Sequence, residues 1–145
     1  MHVEPYLFFG GNAEEALDFY ETALGAERVM VMRFKESPEQ PPEGAIPDNW
    51  GEKIMHACIK VGDTNVMLSD GCGSADAQGF AGVSLTLQVK DAAEAARLYG
   101  ALTDGGSIVM PLGPTFFSPA FGMLKDRFGV AWGIVAEAEA AARAA

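Results

Sequence analysis

Residues 12–20, NAEEALDFY, return without gaps at 91–99 as DAAEAARLY, pairing Ala13 with Ala92, Glu15 with Glu94, Ala16 with Ala95 and Tyr20 with Tyr99. An internal repeat constrains a fold more than composition does, because it asks for one supersecondary unit built twice. The setting repeats too. Each segment has Asn12 or Asp91 at its head, apolar residues at helical spacing and a glycine close behind, the signature of a short capped amphipathic helix. In the first copy Ala13, Ala16, Leu17, Tyr20 and Leu24 share a face before Gly25; in the second Ala92, Ala95, Ala96, Tyr99 and Leu102 do so before Gly105 and Gly106.

Strands are predicted around each helix. In the first copy they fall at 3–9, 28–34, 54–61 and 66–70, the last two joined at Gly62-Asp63; in the second at 83–89, 107–112, 122–126 and 130–136. The stretch at 83–89, VSLTLQV, alternates strictly, with Ser84, Thr86 and Gln88 on one face and leucines on the other. Each half reads β-α-β-β-β, so the chain is α+β. One domain spans 1–136, with module one at 1–70, a small-residue linker at 71–82 and module two at 83–136. Residues 137–145 are alanine-rich and predicted to form a helical tail. The segment 35–53 holds four prolines and no period, and is a long loop.

Composition removes several function classes. No apolar run approaches the roughly 20 residues needed to cross a bilayer, and the first residues lack a secretory pattern, so the cytoplasm is the expected compartment. Two cysteines, Cys58 and Cys72, are too few for a disulfide scaffold or thiolate cage. Twenty acidic against ten basic residues give a net charge of −10 and no basic stripe, which speaks against nucleic-acid or membrane partners.

Paired β-α-β-β-β modules carrying PYLFFGGNAEEALDFYETALGAE at 5–27, IMHACIKVGDTNVMLSD at 54–70 and FGMLKDRFGVAWGIV at 121–135 resemble the vicinal oxygen chelate superfamily. That superfamily includes glyoxalase I, extradiol dioxygenases, fosfomycin-resistance transferases and bleomycin-binding proteins, and the chain is most similar to its PhnB-like branch. The resemblance implies a curved, mixed eight-stranded sheet whose modules form cups, and a homodimer. It also implies four metal-ligand positions, which fall here on Pro5, Leu68, Ser84 and Gly133. None of these can ligate a divalent ion as His or a carboxylate would, so no metal and no cofactor are expected.

Alternation suggests what lines the cup. With Ser84 facing in, Thr86 and Gln88 follow; by the repeat Pro5 and Leu7 face in, while Tyr6 and Phe8 pack behind. His56, Cys58 and Lys60 share the cup face of their strand. A three-residue hairpin connection would set His56 opposite Asp70 and Cys58 opposite Leu68 while keeping Ala57 and Ile59 buried, and this is the expected register. His56 oriented by Asp70 is the candidate acid–base pair. Trp50, Cys58, Leu68, Ser84, Thr86, Gln88, Phe116 and Phe117 are the candidate ligand-binding residues, with Trp50 and the phenylalanines as loop aromatics. Trp132, alternating with Val130 and Ile134, belongs to the core. Lys125, Asp126 and Arg127 read as solvated charges on a turn.

The function expected is metal-free binding of a small molecule. The alternatives are an isomerase, lyase or transferase using His56 with Asp70 or a non-standard metal site, and sequestration of a bleomycin-type drug.

Overall fold

In the computed structural model, which describes residues 1–39, 41–72 and 79–138, the repeat is realised as two units, Met1–Gly79 and Phe80–Ala145. The first contains β1 (Tyr6–Phe8), α1 (Ala13–Leu24), β2 (Glu27–Arg33), a short 3-10 turn at Phe34–Glu36, β3 (Ile54–Val61) and β4 (Thr64–Ser69). The second contains β5 (Ser84–Val89), α2 (Ala92–Thr103), β6 (Ser107–Gly113), β7 (Phe121–Lys125) and β8 (Ala131–Ala136). The eight strands form two four-stranded mixed sheets, ordered β1-β4-β3-β2 and β5-β8-β7-β6. Both contain one parallel pair, β1 with β4 and β5 with β8, and two antiparallel pairs. Most of the proposed tail, and the centre of the linker, lie outside the described residues.

The helices bury most of the faces that their spacing predicts, except that Leu24 is only half-buried on α1 and, on α2, Ala92 and Ala96 are exposed while Leu98 turns inward. Ala13, Ala16, Leu17, Tyr20 and Ala23 are buried on α1, and Ala95, Leu98, Tyr99 and Leu102 on α2. α1 ends on Gly25 in the left-handed region at φ 66°, with its N–H on the Glu21 carbonyl. The two N-termini differ. Asp91 caps α2 through the Glu94 N–H at 2.8 Å, whereas the Asn12 side chain makes no cap bond and a carboxylate from the residue just after β4 takes its place.

That carboxylate is Asp70. Its Oδ1 accepts from Gly11 N at 2.8 Å and Ala13 N at 2.9 Å, and its Oδ2 from Ile54 N at 2.8 Å. In the second unit Asp126 does similar work on β7–β8: Oδ1 accepts from Phe128 N and Val130 N, and Oδ2 from the Trp132 indole at 2.9 Å. Both residues are almost fully buried. Asp126 is therefore part of the framework rather than a solvated turn charge, while Trp132 and Ile134 lie in the core as their alternation predicts.

Two features of the first sheet depart from the sequence reading. The β3–β4 hairpin closes through a two-residue turn, with Val61 opposite Thr64, Cys58 opposite Met67 and Ala57 opposite Leu68. Gly62 at φ 57° occupies the first loop position, as a two-residue hairpin turn favours. On β1, Leu7 is buried whereas Tyr6 and Phe8 are exposed, the reverse of the expected faces. The cause is one additional residue between strand and helix in the first unit. Gly10 and Gly11 separate Phe9 from the head of α1, both at positive φ, where Lys90 alone separates Val89 from Asp91. An ungapped repeat alignment slips by one residue there, and one residue moves every strand side chain to the other face.

Candidate functional site

The face of the first sheet turned away from α1 can be read row by row from the register. Tyr6, Met67, Cys58 and Met30 form one row across β1, β4, β3 and β2. The next row places Phe8 beside Ser69 and His56 beside Met32. The opposite face carries Leu7, Leu68 and Ala57, all buried. The first unit thus presents an aromatic- and sulfur-rich surface, with a few polar groups at defined places.

Those polar groups converge on Tyr6. Its hydroxyl lies 2.7 Å from His56 Nδ1, and burial pushes the phenol above its ordinary value, with Ser69 partly offsetting the rise. The Tyr6 ring stacks on Phe8, with centroids 4.8 Å apart and planes 2° from parallel, and tilts against the His56 ring at 5.4 Å. Cys58 is raised by burial and then by the charge of Glu4, so its thiol stays protonated at neutral pH. Trp50 bounds one end. Its indole donates to the Gly71 carbonyl at 3.0 Å, and Lys53, 5.7 Å above the ring, donates to the Gly11 carbonyl.

Several predicted site residues therefore move. Asp70 does not meet His56, because both its oxygens are engaged by backbone N–H groups and the two-residue turn sets Ser69, not Asp70, across from His56. Leu68 is completely buried on the helix side and lines no open surface. His56 and Cys58 do share the open face. Tyr6, Phe8, Met67 and Ser69 were missed; the second glycine of Gly10-Gly11, which breaks the ungapped repeat, could have found the first two, and a two-residue turn at Gly62-Asp63 the others.

In the second sheet the expected faces hold. Ser84, Thr86 and Gln88 are exposed, in rows with Ala131, Gly133 and Val135 on β8 and with Lys125, Met123 and Phe121 on β7. Phe117 meets Phe121 edge-on at 5.2 Å, and Phe116 meets Phe117 at 5.1 Å. The loop carrying them is held by Thr115 Oγ1, which accepts from Phe117 N and Ser118 N. It lines an open cavity of about 280 Å³ with Pro114, Pro119 and Ala138.

The divalent metal that the sequence resemblance implies does not fit these residues. Leu68 is in the core, Ser84 and Gly133 carry no strong ligand, and among the described residues no three His, Cys, Asp or Glu side chains gather as such an ion requires.

A family model described as 3-demethylubiquinone-9 3-methyltransferase matches residues 1–135. The chain belongs to this family. It is 32% identical over 140 residues to the protein YjdN of Escherichia coli K12, covering 91% of this chain and 92% of YjdN. Among solved structures, PA1353 of Pseudomonas aeruginosa is 44% identical with a TM-score of 0.84, covering 94% of this chain and 98% of its own. A PhnB protein from Bacillus cereus is 26% identical with a TM-score of 0.76, covering 94% and 99%. A glyoxylase/bleomycin resistance/dioxygenase domain from Frankia sp. EAN1pec shares the fold at 12% identity and a TM-score of 0.65, covering 95% and 98%. The chain is thus a PhnB-like protein of this family, and it shares the fold of the glyoxylase/bleomycin resistance/dioxygenase domain.

Proposed function

We propose that this protein binds a small organic molecule on the open face of the β1-β4-β3-β2 sheet, without the divalent metal that the sequence resemblance implies. One observation supports this above the others: the Tyr6 hydroxyl and His56 Nδ1, 2.7 Å apart, sit among the Phe8 ring, the Met30, Met32 and Met67 thioethers and the Cys58 thiol on one face. Ligand sites characteristically combine apolar lining with a few placed polar groups. Here the Tyr6–Phe8 stack supplies flat apolar surface and the His56 ring a hydrogen-bonding group. In the second unit, Ser84, Thr86 and Gln88 on β5 and the loop aromatics Phe116 and Phe117 are a separate set of candidate contacts.

The test is a screen of small aromatic carbonyl compounds by amide-proton NMR, on protein dialysed against a chelator. Shifts at Tyr6, Phe8 and His56 that survive chelation, and weaken in Tyr6→Phe and His56→Gln, support the reading. Shifts that need added divalent metal, or that leave these residues untouched, overturn it.

A second reading is acid–base catalysis by His56, favoured by its 2.7 Å contact with the Tyr6 hydroxyl; the phenol, raised by burial, stays protonated and serves as a hydrogen-bonding partner rather than as the proton donor. Methyl transfer reaches this chain through the family's description, and an assay for methylated product in the same screen would test it. Homodimerisation belongs to the proposal as well. The edge strands β2 and β6 expose Val29, Met30, Ile108, Val109 and Met110, and light scattering at micromolar concentration tests whether a second copy covers them. No helix among the described residues is long and apolar enough to cross a membrane, and we place the protein in the cytoplasm.

A further inference from the structure

Sulfur and imidazole donors are concentrated in one block of the first sheet. Met30 stands opposite Cys58, Met32 opposite His56, and Cys58 opposite Met67. The thiol therefore has a thioether directly across on each side, and the imidazole lies one pleat along with a third thioether across from it. Directly opposed residues in antiparallel strands have Cα atoms roughly 4.5–5.5 Å apart, and methionine's torsions let its sulfur swing over that gap. The block is reachable: Met30 is 36% exposed, and Met32, His56, Cys58 and Met67 are half-buried.

Two surrounding contacts suit a cation. His56 is held through Nδ1 by the Tyr6 hydroxyl, which leaves Nε2 as the nitrogen open to a ligand; metal-bound histidines are characteristically oriented through their other nitrogen. Glu4 accepts from Asn65 Nδ2 at 3.5 Å, and Asn65 lies on the same face of β4 as Met67, which brings a carboxylate to the edge of the block. Oxygen-preferring ions such as Mg²⁺ and Ca²⁺ find few partners here. Thioether, thiolate and imidazole together select a soft ion.

We propose that Cys58, Met30 and Met67, with His56, bind a soft monovalent cation of the Cu(I) or Ag(I) class on this face. On binding, the Cys58 S–H bond is replaced by a sulfur–metal bond and one proton goes to solvent. The ion keeps its oxidation state, and no electron donor or acceptor is required. The inference goes beyond small-molecule binding and stands apart from it: the NMR screen is run without metal, so either can fail alone.

The test titrates the reduced full-length chain anaerobically with Cu(I) buffered by bathocuproine disulfonate, and in parallel with Ag(I) under native mass spectrometry. We expect one ion per chain with release of about one proton. Cys58→Ser, and separately the near-isosteric pair Met30→Leu with Met67→Leu, should each weaken binding at least about tenfold, with circular dichroism confirming that they fold. Cys72→Ser should bind as the parent does. Failure of the parent chain to compete for Cu(I), loss of the ion in Cys72→Ser, or undiminished affinity in Cys58→Ser or in the folded double methionine variant would overturn the proposal. Equal binding of Zn(II) would also sink it, since that would remove the selectivity that soft donors impose.

Discussion

Asp70 commits both of its oxygens to backbone: the loop before α1 on one and the start of β3 on the other. A carboxylate buried this deeply is held by those N–H groups and in turn holds three chain segments together. Asp70→Asn replaces one acceptor by an N–H donor pointed at another donor. It should cost about 3 kcal/mol and lower the Tm by roughly 10 °C in a thermal melt. A role in proton transfer would instead leave the Tm in place and alter a pH profile. Cys58 offers a second residue-scale prediction. With its thiol raised above 9.0 by burial and by Glu4, it should react with iodoacetamide at pH 7.5 more slowly than the exposed Cys72. Peptide mass spectrometry of time points would show this, and faster labelling of Cys58 would mean that its thiolate is stabilised after all. The sequence correctly singled out His56 and Cys58 as sharing a face, because alternation within one strand is a local property. The partner of His56 depended on the facing strand's register and on an extra glycine eighty residues from the comparison segment, and neither is local.

Among the secondary-structure elements, the two helices and the eight strands were legible because each carries its own period and its own terminators. Boundaries moved by a residue or two except at β1, where the predicted 3–9 shrank to Tyr6–Phe8. Glycines divide here by what a methyl group would meet. At Gly122 in β7 an added Cβ would lie 2.8 Å from the Tyr99 ring and 3.0 Å from the Leu112 Cα, and the Tyr99 hydroxyl is tied to the Met110 and Met123 carbonyls, so the ring has little room to retreat. Gly100 lies within α2, is exposed and would have nothing within 4 Å. Gly122→Ala should therefore destabilise by about 1–3 kcal/mol through overpacking. Gly100→Ala should stabilise by roughly 0.5–1 kcal/mol, because alanine costs less conformational entropy in a helix. Urea unfolding of both variants measures the two effects, and opposite signs are the expected result.

For the molecule as a whole, the excess of acid sets how stability responds to pH. Twenty carboxylates face ten lysines and arginines, and the ordered pairs in the first unit tie α1 to β2: Glu14 with Arg33, and Asp18 and Glu21 with Arg28. The bidentate hydrogen bonds from Arg33 hold Glu14 below its ordinary 4.5. A group whose folded value is depressed contributes stability that is fully present above the unfolded value and is lost as pH falls through the folded one. Between pH 7 and 5 this pair should therefore leave stability unchanged. Below about 4.5 the unfolded chain takes up the Glu14 proton before the folded chain does, and stability falls. Glu14→Gln removes that linked proton, so its unfolding free energy should decline less steeply between pH 4.5 and 3 than the parent's, although both start near the same value because a half-exposed pair is worth little at neutral pH. Urea titrations at a series of pH values test this, and parallel acid limbs for the two proteins would show that acid sensitivity arises elsewhere among the carboxylates.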